Sequence, residues 1–266
     1  MKTTIYYYSG SGNSLALAKR LSEELGETQT VPMAGFDFEE NRAPEERIGM
    51  IFPVYAYGMP ATVERFVSRF NIGSARYVFA VVSTFGIPGS TLKKTDRILR
   101  KNGHRIDAGF AVLDPRSSLA EDPRKDPVQR MMISLNRGQS PRPSTERIPE
   151  IVDCVIQCAK HTPETSNMAT NFFGSLMHRL AIKGFQSIDE NFWTTDACNG
   201  CGTCARICPR GNIKISNGKP VWGGECDYCH ACIQWCGNTA IQFRDITEHK
   251  QRYTNTKIHV NEMLLR

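Results

Sequence analysis

Thr3-Thr4-Ile5-Tyr6-Tyr7-Tyr8-Ser9-Gly10-Ser11-Gly12-Asn13-Ser14 opens with a β-branched and aromatic run, breaks on small polar residues, and gives way to helical periodicity from Ser14 to Leu25. Strand, tight loop and helix form the first unit of an alternating layout. Working outward, Thr28 to Pro32 reads as a short edge strand and Arg47 to Phe52 as a second clear strand, stopped by Pro53. Pro60 to Phe70 reads as a helix, with Pro60 suited to its first turn. Tyr77 to Ser83 is a further apolar run, Ser90 to Gly103 a basic helix, and Ile106 to Leu113 another strand. The alternation predicts an α/β fold: a doubly wound parallel sheet with helices on both faces, binding ligands in loops at the carboxyl ends of its strands.

Beyond this unit the pattern changes. Asp114 to Thr145 is rich in Pro, Arg and Asp and reads as a long loop with at most a short helix around Met131-Met132-Ile133. Glu146 to Lys160 reads as a closing helix, on which Cys154 and Cys158 are expected to pack in the core beside Ile151 and Val155. Pro163 to Asn167 is a break. Met168 to Phe185 reads as an amphipathic connecting helix with Phe172, Phe173, Leu176, Leu180 and Ile182 as its apolar positions. The 266 residues are 40% hydrophobic and 23% charged, an ordinary globular composition that excludes a disordered or collagen-like chain. No apolar run reaches the roughly 18 residues of a membrane helix. No charged-then-apolar leader precedes the first strand, so a cytoplasmic chain is expected. The net charge of +6 arises mostly ahead of Gln186, with 24 Lys and Arg against 19 Asp and Glu. That fits a mildly basic surface or a docking face for an acidic partner. No dense basic stripe suggests nucleic acid.

Eight of the ten cysteines lie between Cys198 and Cys236. Two blocks match: Cys198-x2-Cys201-x2-Cys204-x3-Cys208-Pro209 and Cys226-x2-Cys229-x2-Cys232-x3-Cys236-Gly237, each cysteine recurring 28 residues later. Asn212-Ile213-Lys214 and Ala240-Ile241-Gln242 follow in like positions, so the segment is an internal duplication. A disulfide framework would need a secreted context. Zinc favours paired C-x2-C knuckles, which this spacing fits poorly. A C-x3-C-x2-C run is absent. Three thiolates spaced by two residues wrap one corner of a cubane cluster, and the fourth points across to the other site. From about Thr194 to Phe243 the chain resembles a bacterial-type two-cluster ferredoxin. The resemblance implies one [4Fe–4S] cluster on Cys198, Cys201, Cys204 and Cys236, and a second on Cys226, Cys229, Cys232 and Cys208. It departs from that pattern at Gly237, where a proline usually stands. Trp193, Trp222 and Trp235 flank the cysteines and are expected to screen the clusters from water.

The first loop suits a phosphate. Hydroxyls at 9, 11 and 14, glycines at 10 and 12 and the amide of Asn13 precede a helix whose dipole and free N–H groups face the same anion. A dinucleotide fingerprint would need a glycine where Leu15 stands and an acidic residue near Thr30-Val31-Pro32. A Walker loop would need Gly-Lys-Ser/Thr. The absence of Lys and Arg suits a monophosphate held by neutral donors. At these residues the chain resembles flavodoxin. The resemblance implies FMN held by Ser9, Gly10, Ser11, Gly12, Asn13 and Ser14. Pro53, Val54, Tyr55, Tyr57 and Gly58 would lie at its ring, and Ser83, Thr84, Phe85 and Gly86 at its rim.

Both halves together are similar to the flavodoxin–ferredoxin fusion proteins of anaerobes. Arg252-Tyr253-Thr254-Asn255 resembles a short Arg-Tyr-x-Asn element that follows the clusters there. The implied organisation is an FMN-binding domain at 1–162, a helical connector at 163–190, a ferredoxin-like domain at 191–247 and a tail at 248–266. The implied function is low-potential electron transfer between redox partner proteins. The alternative is an FMN-dependent reductase of a small substrate, fed by the clusters. In that case residues 114–145 would form a pocket and Asp114, Arg116 or His104 would supply protons. One cluster must approach the flavin, so the ferredoxin lobe is expected to pack near the Tyr55 and Phe85 loops or to swing to them on the connector.

Overall fold

A computed structural model describes residues 1–38, 46–114, 127–136, 138–185 and 187–265. Five parallel strands form its main sheet: β1 (Thr3–Tyr7), β2 (Thr28–Pro32), β3 (Arg47–Pro53), β4 (Tyr77–Thr84) and β5 (Ala108–Leu113). Their order is β2-β1-β3-β4-β5. This is the flavodoxin-like doubly wound order, and the winding reverses between β1 and β3. β3 and β4 are buried on both faces, which is why they read as unbroken apolar runs. β2 lies half-exposed at the edge, where Pro32 costs no ladder bond.

Helices cover both faces. On one, α1 (Asn13–Leu25) packs Leu17, Ala18 and Leu21 beside Ile151 and Val155 of α5 (Ser144–Ile156). On the other, α2 (Ala61–Arg69) and α3 (Thr91–Lys101) bury Val63, Phe66, Val67, Leu92 and Leu99. Each such side chain contributes roughly 1.5–3 kcal/mol by leaving water. Cys154 packs partly buried against the α1–α5 core, but α5 ends at Ile156, so Cys158, expected on the same helical face, lies beyond the helix with a φ of +49° and is only partly buried there. The expected break after α5 runs along the free edge of β5. Gly109 N–H donates to His161 O at 3.2 Å, and Glu164 N–H donates to Gly109 O at 3.1 Å. The edge is thereby paired rather than open.

α4 (Pro127–Leu135) is the short helix anticipated around Met131. Residues 115–126, which include Arg116, and residue 137 of that loop lie outside the described residues. α6 (Met168–Phe185) forms as expected, but four of its five expected apolar positions, Phe172, Phe173, Leu176 and Leu180, are exposed. Phe172 is 69% and Leu180 58% exposed, whereas Thr170, Gly174 and His178 are buried. Among the described residues, no helix is long and apolar enough to cross a membrane.

The last part is a small α+β unit. β6 (Phe192–Thr194) pairs antiparallel with β9 (Ile241–Phe243), and β7 (Ile213–Ser216) with β8 (Lys219–Trp222). Short helices α7 (Thr203–Ile207) and α8 (Ala231–Gln234) lie between them, and α9 (Val260–Met263) sits in the tail. Ile213 and Ile241 open equivalent strands, so the sequence duplication is also a duplication of structure. Phe192, Ile233, Ile241 and Phe243 form its core.

Candidate functional site

At the carboxyl ends of the strands, three loops meet at the point where the sheet reverses. The first leaves β1 and enters α1 through Gly12, whose φ is +95°. Asn13 and Ser14 begin the helix, where N–H groups lack intrahelical partners. No acidic residue in the first turn competes for that end. Ser9 Oγ accepts from Gly12 N–H at 3.1 Å. Ser14 Oγ lies 3.1 Å from Ser83 Oγ, tying the first loop to the third.

The second loop is a two-residue hairpin. Tyr55 and Gly58 exchange backbone bonds of 2.8 and 3.0 Å. Ala56 and Tyr57 between them have φ of +44° and +67°. Such conformations are strained for side-chain-bearing residues and persist only where the surroundings hold them. Here α6 holds them, with His178 Nδ1 3.2 Å from Ala56 O and Gly174 against Tyr57. In the third loop, Thr84 Oγ1 donates to Ile87 O at 3.0 Å, and half-exposed Phe85 stands at the rim.

These loops enclose a cavity of about 480 Å³. Twelve of the fifteen residues expected at a flavin line it: Ser9, Gly10, Ser11, Asn13 and Ser14; Pro53, Val54, Tyr55 and Tyr57; and Ser83, Thr84 and Phe85. Gly12, Gly58 and Gly86 shape the loops without lining the cavity. The volume falls in the usual range for a cofactor pocket, and the lining joins neutral anion donors to aromatic and apolar walls. The residues present therefore fit FMN. Sequence reasoning missed the far wall, where α4 contributes Val128 and Ile133 and α6 contributes Met177 and Leu180. Asp114 also lines the cavity. Burial pushes its carboxyl above the usual range, against a hydrogen bond from Ser144 that lowers it. His104 lies elsewhere, between α3 and the start of β5.

Cysteines 198, 201, 204 and 236 line a second cavity of about 390 Å³. Cys236 thus joins the first block rather than its own. The other four, Cys208, Cys226, Cys229 and Cys232, lie within electrostatic reach of one another. Among the described residues, no three His, Cys, Asp or Glu side chains gather closely enough to hold a single metal ion. Thiols set around a void suit a multi-atom cluster better than a point ion. Burial pushes Cys204 up to about 11 and Cys226 to about 12. Thiolates so buried need positive charge beside them, which iron provides on binding. Backbone N–H groups also point at sulfur, from Tyr228 to Cys226 at 3.2 Å and from Ala240 to Cys236 at 3.3 Å.

The two halves are docked. Tyr228, Cys229 and His230 form part of the wall of the loop cavity. A Cβ on Gly10 would lie 2.5 Å from Cys229 O and 2.8 Å from the Tyr55 hydroxyl, so only glycine permits this approach. Asp227, 4% exposed, accepts from Tyr8 O–H at 2.9 Å and from Thr62 N–H at 3.2 Å, the latter in the first turn of α2. Trp235 Nε1–H donates to Gly10 O at 2.9 Å. Leu15 of α1 packs with Ile207, Trp235, Ile258 and Met263. Of the two expected arrangements, packing against the flavin-type loops is the one found. Trp235 serves this contact besides lining the cysteine cavity, while Trp193 is 38% exposed.

Comparison with known proteins agrees with the cysteine spacing. Residues 192–214 match the model of the 4Fe-4S binding domain family. A protein of Methanocaldococcus jannaschii, described only as uncharacterized, is 37% identical over 68 residues. That stretch is 26% of this chain and 16% of the relative, so this chain spans about a sixth of that protein's length. Among solved structures, a flavodoxin from the domain Archaea aligns at 18% identity over 60% of this chain and 96% of its own, with a TM-score of 0.42. A short-chain flavodoxin associated with a non-canonical PDU bacterial microcompartment aligns at 13% identity over 60% and 100%, with a TM-score of 0.40. The fold assignment rests on strand order rather than on these overlaps. A flavodoxin-like sheet followed in one chain by a 4Fe-4S binding domain is the arrangement of a flavodoxin–ferredoxin fusion.

Proposed function

We propose that this chain carries electrons between protein partners, with FMN in the loop cavity and one [4Fe–4S] cluster in each cysteine group. When bound, clusters exchange single electrons and FMN one or two, so the set joins one-electron to two-electron couples. The observation that carries the reading is the shared wall: Cys229 of the second cysteine group lines the cavity formed by the three loops. Exposure supports an order. Cys201 of the first group is exposed. The second group is more deeply placed, with Cys232 near Cys204 on one side and Cys229 at the cavity on the other. The first group then faces the partner and the second faces the flavin. Tyr228 and Phe185, whose rings lie 5.0 Å apart, line the cavity on the side of the cysteines.

The test is iron, sulfide and flavin content after anaerobic purification. About eight iron and one FMN per chain are expected. Four iron, zinc in place of iron, or no flavin rejects the assignment. A second reading, reduction of a small substrate, draws on Asp114, whose Oδ2 is buried at the cavity without a partner among the described residues. Steady turnover of a small acceptor without any protein partner, lost in Asp114→Asn, would favour it.

A further inference from the structure

α6 buries small and polar side chains and turns its large apolar ones to solvent. Thr170, Gly174 and His178 form the buried stripe. Met168, Phe172, Leu176 and Leu180, offset from it by two residues and so by about 200° around the helix, are exposed, Met168 to 89%. The ring of exposed Phe173 stands 5.5 Å from that of Phe172. Alongside, α4 exposes Val128, Met131 and Ile133. The two helices are joined: Asn167 Nδ2 donates to Leu135 O at 2.6 Å, and Met132 of α4 packs at Gly174 of α6. Of the fourteen large apolar side chains exposed among the described residues, eight lie on this helix pair. Single exposed apolar residues are ordinary, but a concentration of them marks a contact surface. The charges on the pair are of one sign. α4 and α6 carry Arg130, Arg179 and Lys183, all exposed, and no Asp or Glu. None of the three is in an ion pair among the described residues.

From this pairing of exposed apolar rows with unpaired cations we propose that the outward faces of α4 and α6 are a docking surface for an anionic lipid bilayer, on which the chain lies without crossing it. Apolar side chains enter the boundary between headgroups and acyl chains, and cations beside them meet lipid phosphates. Arg179 and Lys183 suit this role, because their stems lie along apolar surface while their heads reach outward. Rows of side chains on two helices stand as ridges, to which a fluid acyl boundary moulds. A second copy on the same face would set three cations against three like charges. The surface is also continuous with the loop cavity, since Val128, Ile133 and Leu180 are exposed and line its wall as well. Docking therefore brings that cavity to the lipid boundary, whichever cofactor fills it, and the inference does not depend on the FMN reading.

The test is anaerobic co-sedimentation of the full-length protein, as purified, with vesicles of phosphatidylcholine alone or with about a third phosphatidylglycerol. Binding is expected to the anionic vesicles, and to weaken as salt rises from about 0.1 to about 0.5 M. Arg179→Gln with Lys183→Gln should lower the partition coefficient about tenfold or more, at about fivefold per charge removed. Phe172→Ser with Leu176→Ser should lower it about tenfold or more as well, because the apolar anchors are gone. Iron content and thermal midpoint, compared with the parent, show that each variant is folded. Gel filtration without lipid reads self-association. No binding to anionic vesicles, equal binding to both vesicle types, or variants that bind like the parent overturns the proposal. A dimer that Phe172→Ser with Leu176→Ser disperses also overturns it, by giving the face to a second copy.

Discussion

Adding one methyl group at Gly10 tests the docking of the two lobes. The new Cβ would stand 2.5 Å from Cys229 O and 2.8 Å from the Tyr55 hydroxyl. Carbon and oxygen settle at about 3.3–3.6 Å, so the first contact falls short by roughly 0.8 Å. Neither neighbour yields easily. Cys229 O is backbone between Tyr228 and His230, both at positive φ, and Tyr55 begins a strained hairpin. The lobe must withdraw or the loop must bend, and either movement stretches the 2.9 Å bond from Trp235 to Gly10 O. Overpacking costs about 1–3 kcal/mol and the weakened bond about 1 more. At about 2–4 °C per kcal/mol in a chain of this size, Gly10→Ala should lower the apparent Tm by about 5–15 °C. FMN affinity should fall with it, because the same atoms support the phosphate loop. Gly184→Ala is the control, since its Cβ meets nothing within 4 Å and it lies in α6. It should raise stability by up to about 1 kcal/mol. Anaerobic thermal denaturation and flavin titration read both. A Gly10→Ala protein with parental Tm and parental FMN affinity would refute the close approach.

Three further outcomes are expected. Cys208→Ala should strip iron from the group of Cys226, Cys229 and Cys232, and Cys236→Ala from that of Cys198, Cys201 and Cys204, each leaving about four iron; selective loss from sequence neighbours would contradict the crossover. Arg147, with only 6% of its side chain exposed, donates to Glu164 and Glu150 at 2.7 Å and to Ala111 O at 3.0 Å. Arg147→Ala should cost about 3 kcal/mol by urea denaturation, and a loss under about 1 kcal/mol would show those carboxylates to be adequately solvated. For Asp114, burial holds the folded carboxyl above 3.8, so the native state binds its proton more tightly and stability falls as pH rises through the window above that value. Asp114→Asn should therefore have a higher urea midpoint than the parent at neutral pH, with the difference closing in acid; a pH-independent difference would be the contrary result.

Legibility in the sequence follows the range of the forces involved. The β1–loop–α1 unit was readable because alternation, turn and helix period are all local. The cysteine blocks were readable because cluster ligation imposes a spacing. The burial of α6 was not. Its apolar residues gave the period, but the face it buries is Thr170, Gly174 and His178. Close approach to the Tyr55–Gly58 hairpin demands a small residue at 174 and a ring nitrogen beside Ala56 O, and hydropathy registers neither. Asp227 was equally silent. Between two cysteines it reads as a loop acid, yet it bonds Tyr8 and Thr62, which lie 219 and 165 residues away. Arg252-Tyr253-Thr254-Asn255 could be noticed as a motif, but its partner Asn13 lies at the other end of the chain.

Whether the cysteine lobe can leave the flavin loops is a question of how many contacts must break together. Among the hydrogen bonds that cross the contact are Tyr8 to Asp227, Thr62 to Asp227, Trp235 to Gly10 and Asn255 to Ser11. At about 1 kcal/mol net each, their loss disfavours an undocked state by about 4 kcal/mol, or roughly a thousandfold, before the apolar cluster around Leu15 and Trp235 is counted. A swinging lobe is therefore a rare state, and separation between cysteine group and loop cavity is set by one geometry. The edge of the cavity covered by Tyr228 and His230 is closed to any outside protein. On the proposed reading, a partner must engage the opposite end, where Cys201 is exposed and Ile215 is 37% exposed beside it. Substituting Ile215 with Glu should then slow reduction or oxidation by protein partners while leaving the FMN-to-riboflavin affinity ratio untouched. Equal rates with every partner tried would place the entry point elsewhere.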